Sequence, residues 1–292
     1  MSTPVMIMHL LLDAWSRRDP GRIPEPDLVM EDPAQVEAYM RAGREDGFFA
    51  HIYFFHVLQS SPLIRPGDLV LDLACGPANQ LALMARMNPQ ARFIGVDASE
   101  AMLDRARETV RCLGVGNVEL RRGDMAGLQD FADASVDVIV STMSLHHLAD
   151  AAHLQRVCVE MRRVLRPDGG LYVVDFGRLR RKGTRNFFGN DRLGKQPPLF
   201  AEDFRHSMAA AFSLEELQEA FAVFGAQIRV HPTLIAPFMV AICSDARRTL
   251  DVAAQQNLRR KFAELTREQR QDFFDFIRLF TRAGYPLTCN PA

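Results

Sequence analysis

The chain predicts an α/β fold: a doubly wound, mostly parallel seven-stranded sheet with a helical cap before it and extra helices after it. Three observations carry this. Short, almost continuously apolar runs recur from about residue 66, as strands buried on both faces require. Helical patterns alternate with these runs at short spacing, as in a sheet covered on both faces. The first 60 residues and those after about 245 read as helical, with caps and apolar faces rather than strands. The expected organisation is a cap over 1–62, a sheet domain over 63–244 with an insertion at 178–211, and a helical extension over 245–292.

In the cap, Asp19-Pro-Gly and Pro24-Glu-Pro break the helices. Asp32-Pro33 starts another, because Asp caps and Pro suits a first turn. Tyr39, Phe48, Phe49, Tyr53, Phe54 and Phe55 follow, as a helix packed on a core with some rings left to roof a pocket. Leu69–Leu73 is the first strand and Gln80–Met87 a helix. Arg92–Asp97 is the second strand, and Ser99 caps a helix to about Leu113. Val118–Arg122 and Val136–Ser141 are strands three and four. Leu154–Leu165 is helical and stops at Pro167-Asp-Gly-Gly170, before strand five at Leu171–Asp175. A polar and basic stretch then runs to about Ala211. Ser213–Glu216 is a capping box for a helix to about Phe224. Ala226–His231 and Leu234–Cys243 read as an antiparallel hairpin at the sheet edge. Thr266–Gln269 is a second capping box; Phe273, Ile277 and Phe280 then share a face, and Gly284 suits the stop. Such a face serves the chain's own core or a second copy in a homodimer.

Composition narrows the function classes. The 292 residues carry a formal net charge of −1, with 48% hydrophobic and 24% charged residues, as in ordinary globular chains. No basic excess serves a phosphate backbone, which disfavours nucleic acid. The run Arg178–Arg185 is a solvated loop or an anion clamp for a small substrate. Five cysteines with no C-x-x-C pair argue against a disulfide framework or zinc ribbon and for a reducing compartment. Val5–Leu12 lacks the flanks of a secretory leader and is too short to span a bilayer, so the expected location is cytoplasmic, away from membranes.

Open parallel sheets bind ligands beyond the carboxyl ends of their strands. Here those positions hold Ala74–Ala78, Asp97, Asp124 and Ser141–His147. Gly76 lets a ligand approach the backbone, and Asp97 can accept from both hydroxyls of a ribose. Asp124 can accept from an exocyclic amine, with Met125 against the face of a base. Asp72 can orient loop amides or offset a ligand ammonium. Each signal alone is weak; their order along successive strand ends makes them strong.

Val70–Ala78, Phe93–Leu103, Gly123–Met125, Val138–Leu148 and Leu165–Gly170 together resemble the motifs of the class I S-adenosylmethionine-dependent methyltransferases. The resemblance covers residues 66–176 well and 205–243 loosely. It implies a Rossmann-like fold, S-adenosyl-L-methionine as cofactor, and a cofactor site at Asp72, Ala74, Gly76, Asp97, Ala98, Asp124, Met125 and Ser141. Ala74 and Ala78 stand where the family's pattern has glycine, and a dinucleotide G-x-G-x-x-G is absent. The expected activity is methyl transfer to a small-molecule acceptor, at O or N, in secondary metabolism. A protein or RNA acceptor and a non-catalytic cofactor-binding subunit are the competing readings. His146, His147 and Asp175 are the catalytic candidates, although the family commonly carries a His-His pair there that is not a base. Their spacing demands no metal. Tyr39, Phe49 and Tyr53, with Arg180 and Arg181, are the expected acceptor-binding residues.

Overall fold

The computed structural model describes residues 3–17, 19–42, 47, 49–190 and 198–291. Four of the five residues of β1 (Leu69–Leu73) and the first six of β4 (Val136–Thr142) are buried. Strands so apolar must be covered on both faces, and these two lie side by side inside the sheet. The remaining strands are β2 (Arg92–Asp97), β3 (Val118–Arg122), β5 (Leu165–Phe176), β6 (Ile228–Pro232) and β7 (Met239–Ser244). Their order is β3-β2-β1-β4-β5-β7-β6, with β7 antiparallel to both neighbours and the other pairs parallel. The chain winds outward from β1 to β3 and then crosses back to β4. The switch point therefore lies between the carboxyl ends of β1 and β4.

Helices α4 (Asn79–Met87), α5 (Glu100–Cys112), α6 (Ala151–Val164) and α9 (Leu214–Phe221) are among those that connect the strands. Ser99 caps α5 and Asp150 caps α6, and Ser213 with Glu216 forms the expected box on α9. Each such cap is worth about 1 kcal/mol. The cap and extension contribute α1 (Thr3–Ala14), α2 (Pro33–Ala42), α3 (Ala50–Ser60), α10 (Val252–Glu264) and α11 (Arg267–Thr281). Asp32 accepts from the amides of Ala34 and Gln35, as its place before Pro33 predicts. Phe54 and Phe55 of α3 pack against Phe262 of α10 and Phe273, Phe276 and Phe280 of α11. That block is continuous with Val70, Val138 and Tyr172 of the sheet, so the face of α11 is buried within its own chain. No described helix is long and apolar enough to cross a membrane.

Three expectations are corrected. The stretch after Asp175 contains two helices, α7 (Lys182–Gly189) and α8 (Pro198–Ala210). Phe200, Phe204 and Met208 recur every fourth residue on α8, a short stripe hidden among polar neighbours. Strand β7 begins at Met239 rather than Leu234, because Ile235 sits at φ 76 and Thr233 closes a turn onto Ala236 and Met239. Strand β5 begins at Leu165 rather than Leu171, its first residues pairing with β4 across a register shift.

At the end of β5, Gly177 donates to the Phe238 carbonyl, and a Cβ built on it would stand 2.0 Å from the Pro237 oxygen. Gly177→Ala should therefore cost about 1–3 kcal/mol of stability, read as a lower urea midpoint. An unchanged midpoint would contradict this packing.

Candidate active site

The loop after β1 winds through three left-handed residues, Ala74 (φ 56), Gly76 (φ 53) and Ala78 (φ 59). An alanine there bears roughly 1–2 kcal/mol of strain that glycine avoids. The winding is kept even where the glycine pattern is broken. Asp97, at the end of β2, holds it: one carboxylate oxygen accepts from the Gly76 amide at 2.7 Å and the other from Ser99 at 2.9 Å. A carboxylate has about four lone-pair sites, so Asp97 retains capacity for a further donor. Helix α4 opens at Ala78 with no side-chain cap on its first-turn amides.

Beside the loop, Asp72 is buried. Burial pushes its carboxyl up to about 8, with the Asp97 charge adding to the effect. Burial likewise raises Asp97. Gly123 donates to the Asp97 carbonyl at 3.0 Å, which brings Asp124 alongside. The Asp124 side chain is largely exposed and accepts from Ala126. Met125 packs into the cluster that holds Leu71 and Leu73, and the Ala98 carbonyl accepts from Arg122. Ser141 is placed differently from these. It is fully buried, its hydroxyl engaged by the Leu73 carbonyl and by Ser144, so it ties β1 to the turn after β4.

That turn carries the second part of the site. Met143 stands at φ 55, its amide bound to Val174 of β5, and Leu145–His147 forms a single 3-10 turn. Asp175 of β5 faces it. One oxygen accepts from the Ser144 and Leu145 amides at 2.8 and 2.5 Å, and the other meets His146 Nδ1 at 2.7 Å. Burial alone would lower His146, but the charge and hydrogen bond of Asp175 leave it raised. His147 is pushed down to about 3 by burial, with His146 adding to the effect, so its imidazole is neutral and weakly basic at pH 7.

His146 and His147 line an apolar cavity of about 180 Å³ with Tyr39, Phe49, Tyr53 and Met143. Helix α8 adds Phe200, Asp203 and Phe204, the loop before β7 adds Phe238, and α11 adds Phe276. Phe49 meets Phe200 edge-on at 5.2 Å, and the Tyr39 and Tyr53 hydroxyls share a hydrogen bond. Burial pushes the Tyr39 phenol up to about 12, so it stays protonated. A Cβ on Gly76 would lie 3.9 Å from the Tyr39 ring, which therefore stands between the loop and the cavity. Phe48 lies outside the described residues.

Arg180 and Arg181 are not among the cavity's lining residues. Their amides bind Asp13 at 3.0 and 2.8 Å, and the Arg180 guanidinium reaches the Ser16 carbonyl. Arg178 pairs with Asp19 and Glu216. The basic run thus docks α1 and the segment after it through Asp13, Ser16 and Asp19, with Arg180 and Lys182 exposed. Glu25 and Arg22 also stand at this turn, and no sequence pattern marks them, because their partners lie more than 100 residues away.

Residues 64–266 match the family model described as a methyltransferase domain. The chain belongs to this methyltransferase family. An uncharacterised 37.1 kDa protein in transposon TN4556 of Streptomyces fradiae is 31% identical over 207 residues, 64% of this chain and 58% of that protein. The demethylmenaquinone methyltransferase of Listeria welshimeri is 30% identical over 185 residues, 63% of this chain and 76% of that protein. The structure of a SAM-dependent methyltransferase from Aquifex aeolicus has the same fold, with a TM-score of 0.53 at 20% identity, covering 74% of this chain and 98% of that one.

Family and fold imply S-adenosylmethionine as the donor of this methyltransferase. The residues present fit it: Asp97 has acceptor capacity for a ribose, and the raised Asp72 carboxyl is a buried acid with no cation paired to it among the described residues. The folded Asp72 titrates near 8 against an ordinary 3.8, so unfolding releases a proton between these values. Stability falls as pH rises through that window. Asp72→Asn should abolish the calorimetric heat of S-adenosylmethionine while raising the melting temperature of the free protein, more at about pH 8 than at about pH 5. A variant less stable than the parent at the higher pH would contradict this reading of Asp72.

Proposed function

We propose that this methyltransferase moves the methyl group of S-adenosylmethionine onto an oxygen or nitrogen of a small, largely apolar acceptor held in the aromatic cavity. The observation that carries the reading is the placement of that cavity: its floor is the turn after β4, at the switch-point crevice. The similar demethylmenaquinone methyltransferase is named for a small-molecule acceptor, which supports the same class here. A cavity of about 180 Å³ walled by aromatic rings suits one small ring system better than a polymer.

The bound donor supplies a methyl carbon already activated by a sulfonium. The chain has to position and desolvate. In this reading Asp97 takes the ribose hydroxyls, Asp124 and Met125 meet the adenine, and Ala74, Gly76 and Ala98 shape the loop against the donor. Asp72, protonated at neutral pH in the free protein, gives up its proton beside the donor's cation and then offsets that charge. Tyr39, Phe49 and Tyr53 exclude water from the line between donor and acceptor. Transfer to a lone pair of the acceptor would turn the sulfonium into a neutral thioether, and the proton of the acceptor's O–H or N–H would pass to solvent. His147 lines the cavity within reach of the acceptor, and Asp175 holds His146 beside it.

Incubation with methyl-labelled S-adenosylmethionine and a panel of aromatic alcohols and amines tests the class. Label should appear on a small molecule; label confined to added protein or RNA would contradict the reading. With an acceptor in hand, Phe200→Ala should raise its KM roughly tenfold, equivalent to about 1.4 kcal/mol, and leave donor affinity unchanged. Weakened donor binding at unchanged acceptor KM would place the acceptor elsewhere.

A further inference from the structure

Among the described residues, a buried carboxyl beside the two histidines of the cavity floor is not explained by methyl transfer through positioning. Glu25 lies in the Pro24-Glu-Pro26 stretch between α1 and α2, yet its side chain is buried against the turn after β4. Its Oε1 is enclosed and accepts no hydrogen bond, and the enclosed Nδ1 of His147 has no partner either. One ligand atom from each of Glu25, His146 and His147 can be chosen so that all lie within 4.8 Å of one another. Enclosed polar atoms without partners cost roughly 1–3 kcal/mol each. A cation shared among them would remove that cost.

The surroundings are built to hold this arrangement. Asp175 occupies Nδ1 of His146, which leaves Nε2 as the ring nitrogen available for a ligand bond. A carboxylate behind a ligating imidazole is the usual device that fixes its tautomer and orientation. Arg22 clamps the segment carrying Glu25 onto the same turn: its guanidinium donates to the carbonyls of His146 at 2.8 Å, Ala149 at 2.6 Å and Leu148. It also donates to the Ala210 carbonyl at 2.6 Å and lies over the Phe212 ring.

We propose that Glu25, His146 and His147 form a site for one divalent transition-metal ion on the floor of the acceptor cavity. Two imidazole nitrogens and one carboxylate oxygen favour zinc or a neighbouring first-row metal over magnesium or calcium, which prefer oxygen. Three protein ligands leave an open position, the pattern of sites that also bind a substrate. Both histidines line the cavity, so the open position takes the oxygen or nitrogen of the acceptor. In this last respect the inference rests on the small-molecule reading. Sequence spacing suggested no metal because it grouped His146 and His147 with Asp175. The structure turns Asp175 to the far side of His146 and supplies Glu25 as the third ligand.

The test uses the full chain, stripped with a chelator and titrated with Zn²⁺ by calorimetry and with Co²⁺ by visible absorption. One equivalent should bind, with cobalt bands of low coordination number. Glu25→Gln and His147→Asn should each weaken binding at least 100-fold, and Asp175→Asn about 10–100-fold. Circular dichroism and the heat of S-adenosylmethionine binding on the same samples report whether each variant is folded, and either ligand variant suffices. No metal uptake by the parent, equal affinity in a folded Glu25→Gln or His147→Asn variant, or uptake that disappears only when the cysteines are blocked would overturn the proposal. A parent that binds Zn²⁺ but no S-adenosylmethionine would instead overturn the proposed function and leave the metal site standing.

Discussion

The rest of the site depends on the buried carboxylate of Asp175. Its two oxygens meet three backbone amides, those of Ser144, Leu145 and Phe176, and the imidazole of His146. Burial would raise its pKa, but the charge and hydrogen bond of His146 and the surrounding amides leave it lowered, so it stays ionised. Parallel pairing of β4 with β5 brings this carboxylate to the turn, with Thr142 opposite Val174. The left-handed Met143 is held there by the Val174 carbonyl. Sheet register thereby sets turn geometry, and turn geometry sets the direction of His146.

The N-terminal segment completes the site from above. Arg22 grips the turn after β4, while Met30 accepts from the Ser99 hydroxyl at 2.7 Å and Glu31 accepts from the first amides of α5. One stretch of chain therefore crosses the carboxyl ends from β4 to β2. The donor crevice and the acceptor cavity share this cover, and Tyr39 of α2 stands where the two meet.

Much of this was legible in the sequence because it is governed locally. The apolar runs of β1, β2 and β4, the caps at Ser99, Ser213 and Thr266, and the placing of the crevice acids at strand ends follow from short-range pattern and from where parallel sheets place their loops. What escaped depends on distant partners. The Arg178–Arg185 run looked solvated or ligand-binding because Asp13, Asp19 and Glu216 are far from it in sequence. Glu25 carried no local signal beyond two flanking prolines. Ser141 sits at the expected strand end, but its hydroxyl is engaged by Leu73 and Ser144, partners that the sequence does not announce.

The central claim is that the donor lies along Asp72 and Asp97 with its reactive end directed at the cavity above His146 and His147. A crystal structure with bound S-adenosylhomocysteine tests it most directly. The account predicts ribose hydroxyls within hydrogen-bond distance of Asp97 and the sulfur facing Met143 and His147. A ligand seated wholly inside the aromatic cavity, with Asp97 untouched, would contradict it.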